Sequence, residues 1–340
     1  MKYKLLGRSG LKVSELCLGT MGFGTEAGWG ADRDTSFAIM DAYSNAGGNF
    51  LDTANIYKLG TSEKIIGDYI SNHDRDYFVV ATKYTLKDNT TNPNASGNNR
   101  KNMMRSVEAS LKRLNTDYID LFYLHIWDDL TPIDEVLRGM DDLVKQGKIN
   151  YIAISDTPAW VVAQGNTMAE LMGWSRFVAL QVEYSLIART PERELIPMAK
   201  HFGMTVTPWA PLGGGVLTGK YLRGEQGRIK PESKRLNDRA VAITKAVVEI
   251  ANELGTSPGN VALKWTMQQG FSSIPIVGAT KLSQLEDNLK TVDVTLSDDQ
   301  LKRLDDASAI ELGFPGEFFR EEGVRTNVFG GFYDKVEKRD

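Results

Sequence analysis

The stretch Ile119–Ser155, IDLFYLHIWDDLTPIDEVLRGMDDLVKQGKINYIAIS, decides the fold. It opens on the nearly continuous apolar run Ile119–Leu124 and closes on a second, Tyr151–Ser155. Strands covered on both faces have this composition, because neither face meets water. Between them, Thr131–Pro132 predicts a helix start, with a capping hydroxyl and a proline in the first turn, where its missing N–H costs nothing. A strand, a crossover helix and a second strand make the unit from which parallel sheets are built.

Outward from this stretch the same unit recurs. Apolar runs predict further strands near Leu16–Leu18, Asn49–Asp52, Phe78–Thr82, Val178–Gln181, Thr205–Trp209 and Ser273–Ile276, eight in all. Amphipathic segments lie between them. Thr35–Ala46 carries Phe37, Ile39, Met40 and Tyr43, and Asn99–Leu114 repeats Met103, Met104, Val107, Leu111 and Leu114 at the helical period. Thr190–Pro191 and Ser257–Pro258 repeat the hydroxyl–proline start. A length of 340 residues allows two domains, but eight strand-then-helix units without a linker predict one α/β domain over residues 1–340, a (β/α)8 TIM barrel with extra helices. Lys220–Leu254 reads as an inserted polar loop with an additional helix. Lys4–Leu6 and Lys12–Glu15, joined through Arg8-Ser9-Gly10, predict an N-terminal β-hairpin that plugs the barrel bottom. The Gly-rich tail 311–340, with Phe314, Phe318, Phe319, Phe329, Phe332 and Tyr333, is expected as a loop over the barrel mouth, the alternative being a merely packed tail.

Lys and Arg number 40 against 44 Asp and Glu, a net charge of −4, and 41% of residues are hydrophobic. So much apolar surface with so little net charge excludes a disordered chain. The mild acidity argues against a nucleic-acid partner, which needs a clustered basic face. One cysteine, Cys17, excludes an intramolecular disulfide and fits a reducing compartment. No apolar run approaches a membrane span, and the opening MKYKLLGRSGLKVSELCLG lacks the apolar segment of a secretory signal. A cytoplasmic protein without a membrane partner is expected. Asn89-Thr90-Thr91 and Asn94-Ala95-Ser96 are then chance matches to the glycosylation triplet. Three histidines and one cysteine form no ligand cluster, so no metal is expected.

Chemistry in such a barrel gathers at the C-terminal ends of the strands. There the sequence offers Asp52 in FLDTANIY, Tyr57 five residues on, Lys83 in VVATKY and His125 in LFYLHIWD. Taken singly, a strand-end Asp caps a helix, a Tyr packs, and a histidine is more often structural. His73 and His201, in polar helix-end settings, are read that way. The joint placement of the four on one rim is what points to a reactive site. Gly214, Gly219 and Lys220 fit the GxxxxGK spacing of a phosphate loop, but Tyr221 stands where Ser or Thr would hold magnesium. The run is read instead as a loop whose backbone N–H groups, from Leu212 to Gly214, approach a pyrophosphate, with Lys220 adding charge. Gly278, Thr280 and Lys281 precede a helix whose N-terminus suits a phosphate.

With these residues in view, the chain resembles the aldo-keto reductase superfamily. The similarity runs through GRSGLKVSELCLGTMGFG, FLDTANIY, YIDLFYLH, QVEYSL, PWAPLGGGVLTGKY and IVGATKLSQLEDN, nearly the whole length. It implies a barrel that binds a nicotinamide cofactor without a Rossmann fold, and a catalytic tetrad of Asp52, Tyr57, Lys83 and His125. It implies cofactor contacts from Gly19, Thr20, Met21 and Asp52, from Ser155, Asp156 and Gln181 at the carboxamide, and from Trp209 stacking on the ring. It extends them to Ala210, Pro211, Leu212, Gly214 and Lys220, and to Gly278, Thr280, Lys281, Gln284, Asp287 and Asn288. The family usually carries Asn where this chain has Asp156, and a carboxylate accepts from an amide NH2 but cannot donate to its carbonyl. Gln284 stands where Arg is common. Lys281 neutralises a phosphate as a point charge, which favours NADP(H), with NAD(H) as the second option.

The implied activity is reversible reduction of an aldehyde or ketone to the alcohol, with hydride from the nicotinamide and a proton from Tyr57. A phenol with a reference pKa of roughly 10 is a reluctant donor, and a neighbouring Lys83 ammonium favours its anion. Asp52 would hold Lys83 charged, and His125 would position the carbonyl, making a cradle for developing negative charge. Trp29 and Trp127 lie at the expected mouth beside Tyr57 and His125, with Trp160 nearby. That lining suits an aromatic or apolar aldehyde or ketone, or a keto-sugar; otherwise these rings only pack loops. Specificity is expected from the loops around Trp29, Asp88–Asn99, Trp127 and Arg223–Asn237 and from the tail. The alternative from another class is a cofactor-sensing regulatory subunit of the potassium-channel β type, with little turnover.

Overall fold

The computed structural model describes residues 1–87, 91–227, 229–230 and 232–337. Asp88, Asn89 and Thr90, which open one expected specificity loop and one glycosylation-like triplet, lie outside the described residues. So do two positions of the expected 223–237 loop and the last three of the tail. A hairpin of β1 (Tyr3–Leu5) and β2 (Lys12–Ser14) precedes eight strands: β3 (Cys17–Gly19), β4 (Phe50–Asp52), β5 (Val79–Tyr84), β6 (Ile119–Leu124), β7 (Ile149–Ser155), β8 (Phe177–Glu183), β9 (Thr205–Trp209) and β10 (Ile276–Gly278). The helices are α1 (Arg33–Asn45), α2 (Thr61–Ile70), α3 (Arg100–Leu114), α4 (Ile133–Lys145), α5 (Ala159–Met172), α6 (Leu195–His201), α7 (Asp238–Leu254), α8 (Pro258–Met267), α9 (Leu282–Leu289), α10 (Asp298–Ser308) and α11 (Glu322–Phe329).

From β3 to β9 each strand pairs parallel with the next, and β10 pairs with β3. Across the remaining gap, Val206 N donates to Ser272 O and Ile274 N to Val206 O, both at 2.9 Å. The result is the (β/α)8 barrel. Strand period two sorts the side chains into two cores. Leu18, Leu51, Val80, Phe122, Ile152 and Leu180 face the helices, whereas Cys17, Phe50, Ala81, Leu121, Ala153 and Ala179 fill the lumen. Leu6 and Val13 of the hairpin join the lumen cluster, fully buried, so the hairpin stoppers the barrel bottom. The close approach has a chemical requirement: a Cβ at Gly7, whose φ is +55°, would lie 2.1 Å from the carbonyl oxygen of Val178.

Three local readings differ from expectation. The last strand is Ile276–Gly278 rather than Ser273–Ile276. Pro275 has no N–H to give, so the ladder with Cys17–Gly19 starts after it, although its carbonyl still accepts from Cys17 N at 3.0 Å. Helix α4 starts at Ile133 with Pro132 as its cap. The Thr131 hydroxyl donates instead to Asp128, whose carboxylate also takes the amides of Leu130 and Thr131. Thr190–Pro191 opens a short 3-10 turn ahead of α6. Ser257 does cap α8, accepting from Asn260 N at 3.3 Å. The additional helix after the inserted loop is α7. Arg189, Arg239 and Arg193 bind the carbonyls of Asp305, Ser308 and Glu311 and pin the chain that far. Beyond it, Phe314, Phe319 and Phe332 of the tail are exposed. No helix among the described residues is long and apolar enough to cross a membrane.

Candidate active site

Strands β4, β5 and β6 end on one rim, and their register decides what meets there. Asp52 lies opposite Ala81, and Lys83 opposite Tyr123. The wholly buried Lys83 ammonium donates to Asp52 Oδ1 at 2.6 Å, to Thr53 O at 2.7 Å and to the Tyr57 hydroxyl at 3.5 Å. After β4 the chain turns back over the rim, with Asn55 N on Lys83 O at 3.1 Å and Tyr57 N on Ala54 O at 3.1 Å. It then passes through Lys58 and Leu59 at φ of +50° and +55°. Two side-chain-bearing residues in this region cost about 1–3 kcal/mol each, so the surrounding structure must hold the turn. The ring of His125 stands 6.0 Å from that of Tyr57 at 81°, and its main-chain N–H donates to Thr85 Oγ1 at 3.3 Å. The structure thus brings together all four residues expected at the strand ends.

Their electrostatics follow from the same contacts. Burial works against the charge on Lys83, but Asp52 and Tyr57 outweigh it and hold the ammonium above its ordinary pKa. Around Tyr57 the loss of water raises the phenol, and the Lys83 charge pulls it back without cancelling the rise. The expected lowering by Lys83 is therefore present, but desolvation outweighs it. His125 is depressed to about 3 by burial and by Lys83, so the imidazole is neutral at physiological pH. Its Nδ1 is buried without a hydrogen-bond partner among the described residues.

The expected cofactor residues fall into three groups. Near the tetrad, the Thr20 hydroxyl donates to Asp52 O at 2.9 Å, and Gly19 and exposed Met21 flank it. Buried Ser155 ends the lumen-facing part of β7, and Gln181 Nε2 donates to Asp52 Oδ2 at 2.9 Å. Asp156, at φ +38°, accepts from Trp209 Nε1 at 3.1 Å and so fixes the indole. The second group is the turn after β9. Ala210, Gly213, Gly214 and Gly215 all have positive φ. Gly213 N is spent on Ala210 O at 2.8 Å, which withdraws it from the expected set of free amides. The insert folds onto this turn: a Cβ at Gly214 would meet Ile229 Cδ1 at 2.5 Å, and one at Gly215 would meet Lys220 Nζ at 2.9 Å. Pro211 and Leu212 lead into it. The third group follows β10. Gly278 and Lys281 are exposed, and Gln284 Oε1 caps Thr280 N at 2.9 Å. Asp287 accepts from Ser257 at 2.8 Å, which joins α9 to the start of α8, and Asn288 is buried.

Directly beyond Lys83 and His125, where β5 and β6 end, a cleft of about 510 Å³ is lined by Thr85, Leu86, Lys87, Ile126, Trp127 and Leu130 among others. Trp127 N donates to Asp156 O at 3.4 Å, tying this wall to the chain that leaves β7. Trp29 is held from below: the Lys58 ammonium sits 3.6 Å from the centre of its ring and donates to its carbonyl. Trp160, on the first turn of α5, is exposed.

Sequence reasoning missed Lys58, Tyr123 and Arg235. Arg235 pairs with Glu183 at 2.5 Å and lies 5.9 Å from the Trp209 ring. Only the inward/outward alternation of β6 carried a signal, since it puts Tyr123 in the lumen beside Lys83. The partners of Lys58 and Arg235 come from distant loops.

A model of the Aldo/keto reductase family matches residues 15–309. The chain is 38% identical to an aryl-alcohol dehydrogenase [NADP(+)] of Phanerodontia chrysosporium, covering 96% of this chain and 91% of that one. It is 35% identical to a norsolorinic acid reductase of Aspergillus flavus over 95% and 86% of the two chains. With an uncharacterized oxidoreductase of Bacillus subtilis it shares 36% identity over 93% and 97%.

Proposed function

The chain belongs to the aldo/keto reductase family and is an oxidoreductase, and from that premise we propose that it interconverts an aromatic aldehyde or ketone and its alcohol, using NADP(H). The observation that carries the reading is the Lys83 ammonium held between the Asp52 carboxylate and the Tyr57 hydroxyl beside a neutral His125.

The residues present fit a nicotinamide dinucleotide. The Trp209 indole is braced at the rim, and the glycine turn, where a Cβ would collide, lets Lys220 lie directly against the backbone. When bound, the dinucleotide supplies or accepts the hydride. Trp209 would carry the ring, with Ser155, Asp156 and the free carbonyl of Gln181 at its amide. Lys220 and the amides of the turn would face the pyrophosphate, and Lys281 the 2′-phosphate.

The chain's own work is to move one proton. Tyr57 donates its hydroxyl proton to the carbonyl oxygen as negative charge develops there. Lys83 stabilises the phenolate left behind, and Asp52 and Thr53 O keep that ammonium in place. A neutral imidazole at position 125 retains one N–H for the carbonyl oxygen without adding a competing positive charge. In the reverse direction the phenolate takes the alcohol proton. The apolar wall of Trp127, Ile126, Leu86 and Leu130 supports an aryl substituent, as do the activities for which the relatives from Phanerodontia chrysosporium and Aspergillus flavus are named.

The test is NADPH consumption, followed at 340 nm, over aromatic aldehydes, ketones and keto-sugars. Turnover of an aryl aldehyde that is lost in Tyr57→Phe supports the proposal. Tight NADPH binding with no turnover of any carbonyl would overturn it in favour of a sensor.

A further inference from the structure

Asp52 has two oxygens, and the reading above uses one. Oδ1 faces Lys83; Oδ2 accepts from Gln181 Nε2 at 2.9 Å, in a carboxylate only 3% exposed. The other end of this contact is anchored deeper in the lumen. The Tyr123 hydroxyl lies 3.2 Å from Thr207 Oγ1 and stands beside the Gln181 amide, which favours its ionised form. Thr207 Oγ1 in turn donates to Leu180 O at 3.4 Å.

The direction of every bond follows from the carbonyl at the end. Because Thr207 spends its proton on Leu180 O, its oxygen accepts from Tyr123. Tyr123 then has no proton for Gln181 and accepts from it instead. One amide proton of Gln181 goes to Asp52 and the other is left to face the Tyr123 oxygen, so the amide carbonyl oxygen is left for other use. These residues come from β4, β6, β8 and β9, and Tyr123 also places its ring 5.8 Å from the Lys83 ammonium. Nothing in the proton transfer proposed above requires a hydroxyl at residue 123.

Resting on the proposed carbonyl chemistry, we infer that Tyr123 and Gln181 are positioning residues which hold Asp52 Oδ2 away from Lys83, and thereby set how fully the ammonium is available to the Tyr57 hydroxyl. A buried carboxylate oxygen without a donor seeks one. If Oδ2 is released, the nearest cation is Lys83. The carboxylate then turns both oxygens onto the ammonium, the contact at 3.5 Å to Tyr57 lengthens, and the phenolate loses support. Tyr57 would become harder to ionise.

The experiment uses Tyr123→Phe, which keeps the ring and deletes only the oxygen, and Gln181→Met, which keeps the length and deletes the donor. The first readout is ultraviolet difference titration of the Tyr57 phenolate in the unliganded protein. It is taken as each protein minus the same protein carrying Tyr57→Phe, and needs no turnover. The second is NADPH affinity by fluorescence quenching. The third is the acidic limb of the pH profile of aryl-alcohol oxidation. For Tyr123→Phe the expected result is an upward shift of about half to one pH unit in the Tyr57 titration and in the oxidation limb. NADPH affinity should stay within about twofold. Gln181→Met should shift both at least as far and also weaken NADPH binding, and Gln181→Asn should not rescue, being too short to reach Oδ2. A Tyr57 titration in Tyr123→Phe that overlays the wild type, or moves down, overturns the inference. If the wild type reduces no carbonyl, the proposed function fails, and the difference titration still decides this one.

Discussion

Replacing Lys83 with Met removes the one cation among the described residues that hydrogen-bonds Tyr57. At the observed 3.5 Å and an effective dielectric of about 20, an ammonium and a phenolate attract by about 5 kcal/mol. Asp52, 2.6 Å from the same ammonium, offsets about half of that. Roughly 2 kcal/mol remains, which is about 1.5 pH units on the phenol. The sign is fixed: Lys83 lowers the Tyr57 pKa, so its loss raises a pKa already lifted by burial. In the proposed mechanism alcohol oxidation needs the phenolate, so its rate at neutral pH should fall about 30-fold and its acidic limb should move up by about 1.5 units. Asp52→Asn perturbs the same pair with the opposite sign, because Asp52 raises the phenol. Its limb should move down while Thr53 O still holds the ammonium. The assay is steady-state oxidation of an aryl alcohol from pH 5 to 10 with saturating NADP+. Unfolding midpoints run alongside, since Lys83→Met leaves a buried carboxylate unpaired at a cost of about 3–5 kcal/mol. Limbs that coincide, or move in the same direction in the two variants, would refute the electrostatic reasoning.

Three further outcomes are expected. His125 has a depressed pKa, so the folded state refuses a proton that the unfolded chain takes up below about 6.5. Its stabilising contribution is complete above that pH and is lost as pH falls towards 3, by up to about 5 kcal/mol. His125→Gln should flatten urea-unfolding stability between pH 6.5 and 4; a slope equal to the wild type's in that window would count against a neutral, buried imidazole. Lys281→Met should weaken NADPH several-fold while leaving NADH unchanged, read from the two KM values; an equal effect on both would remove Lys281 from the 2′-phosphate. Lys58→Met should free Trp29 from its cation and raise KM for aryl aldehydes about 5-fold with kcat little changed, since a cation over a half-exposed indole is worth about 1 kcal/mol. A KM equal to the wild type's would show that Trp29 does not border the substrate.

Much of the site was legible for a simple reason. Asp52, Lys83 and His125 end strands or directly follow them, and in a parallel barrel strand ends meet on one rim whatever the loops do. The glycine turn after β9 was legible too, because positive φ leaves a mark in residue type. The loops left no such mark. Lys58 meets Trp29 from 29 residues away, and Arg235 meets Glu183 from 52, and neither pair has a period or a spacing that announces it. Helix starts misread at Thr131 and Thr190 fail for a related reason. A hydroxyl can cap a helix or serve a nearby carboxylate, and at Thr131 the competing partner was Asp128.

By itself the chain's order of apolar runs, amphipathic segments and strand-end residues determined the barrel and the candidates for proton transfer. These follow from local periodicity and from the fixed geometry of parallel strands. Only the tertiary structure decided that Asp52 divides its two oxygens between Lys83 and Gln181, that desolvation outweighs the lysine at Tyr57, and that His125 is neutral. Those outcomes depend on how much water is excluded and on distances of a few ångströms between residues as far as 129 positions apart, and energies that vary with distance and dielectric are not written in residue type.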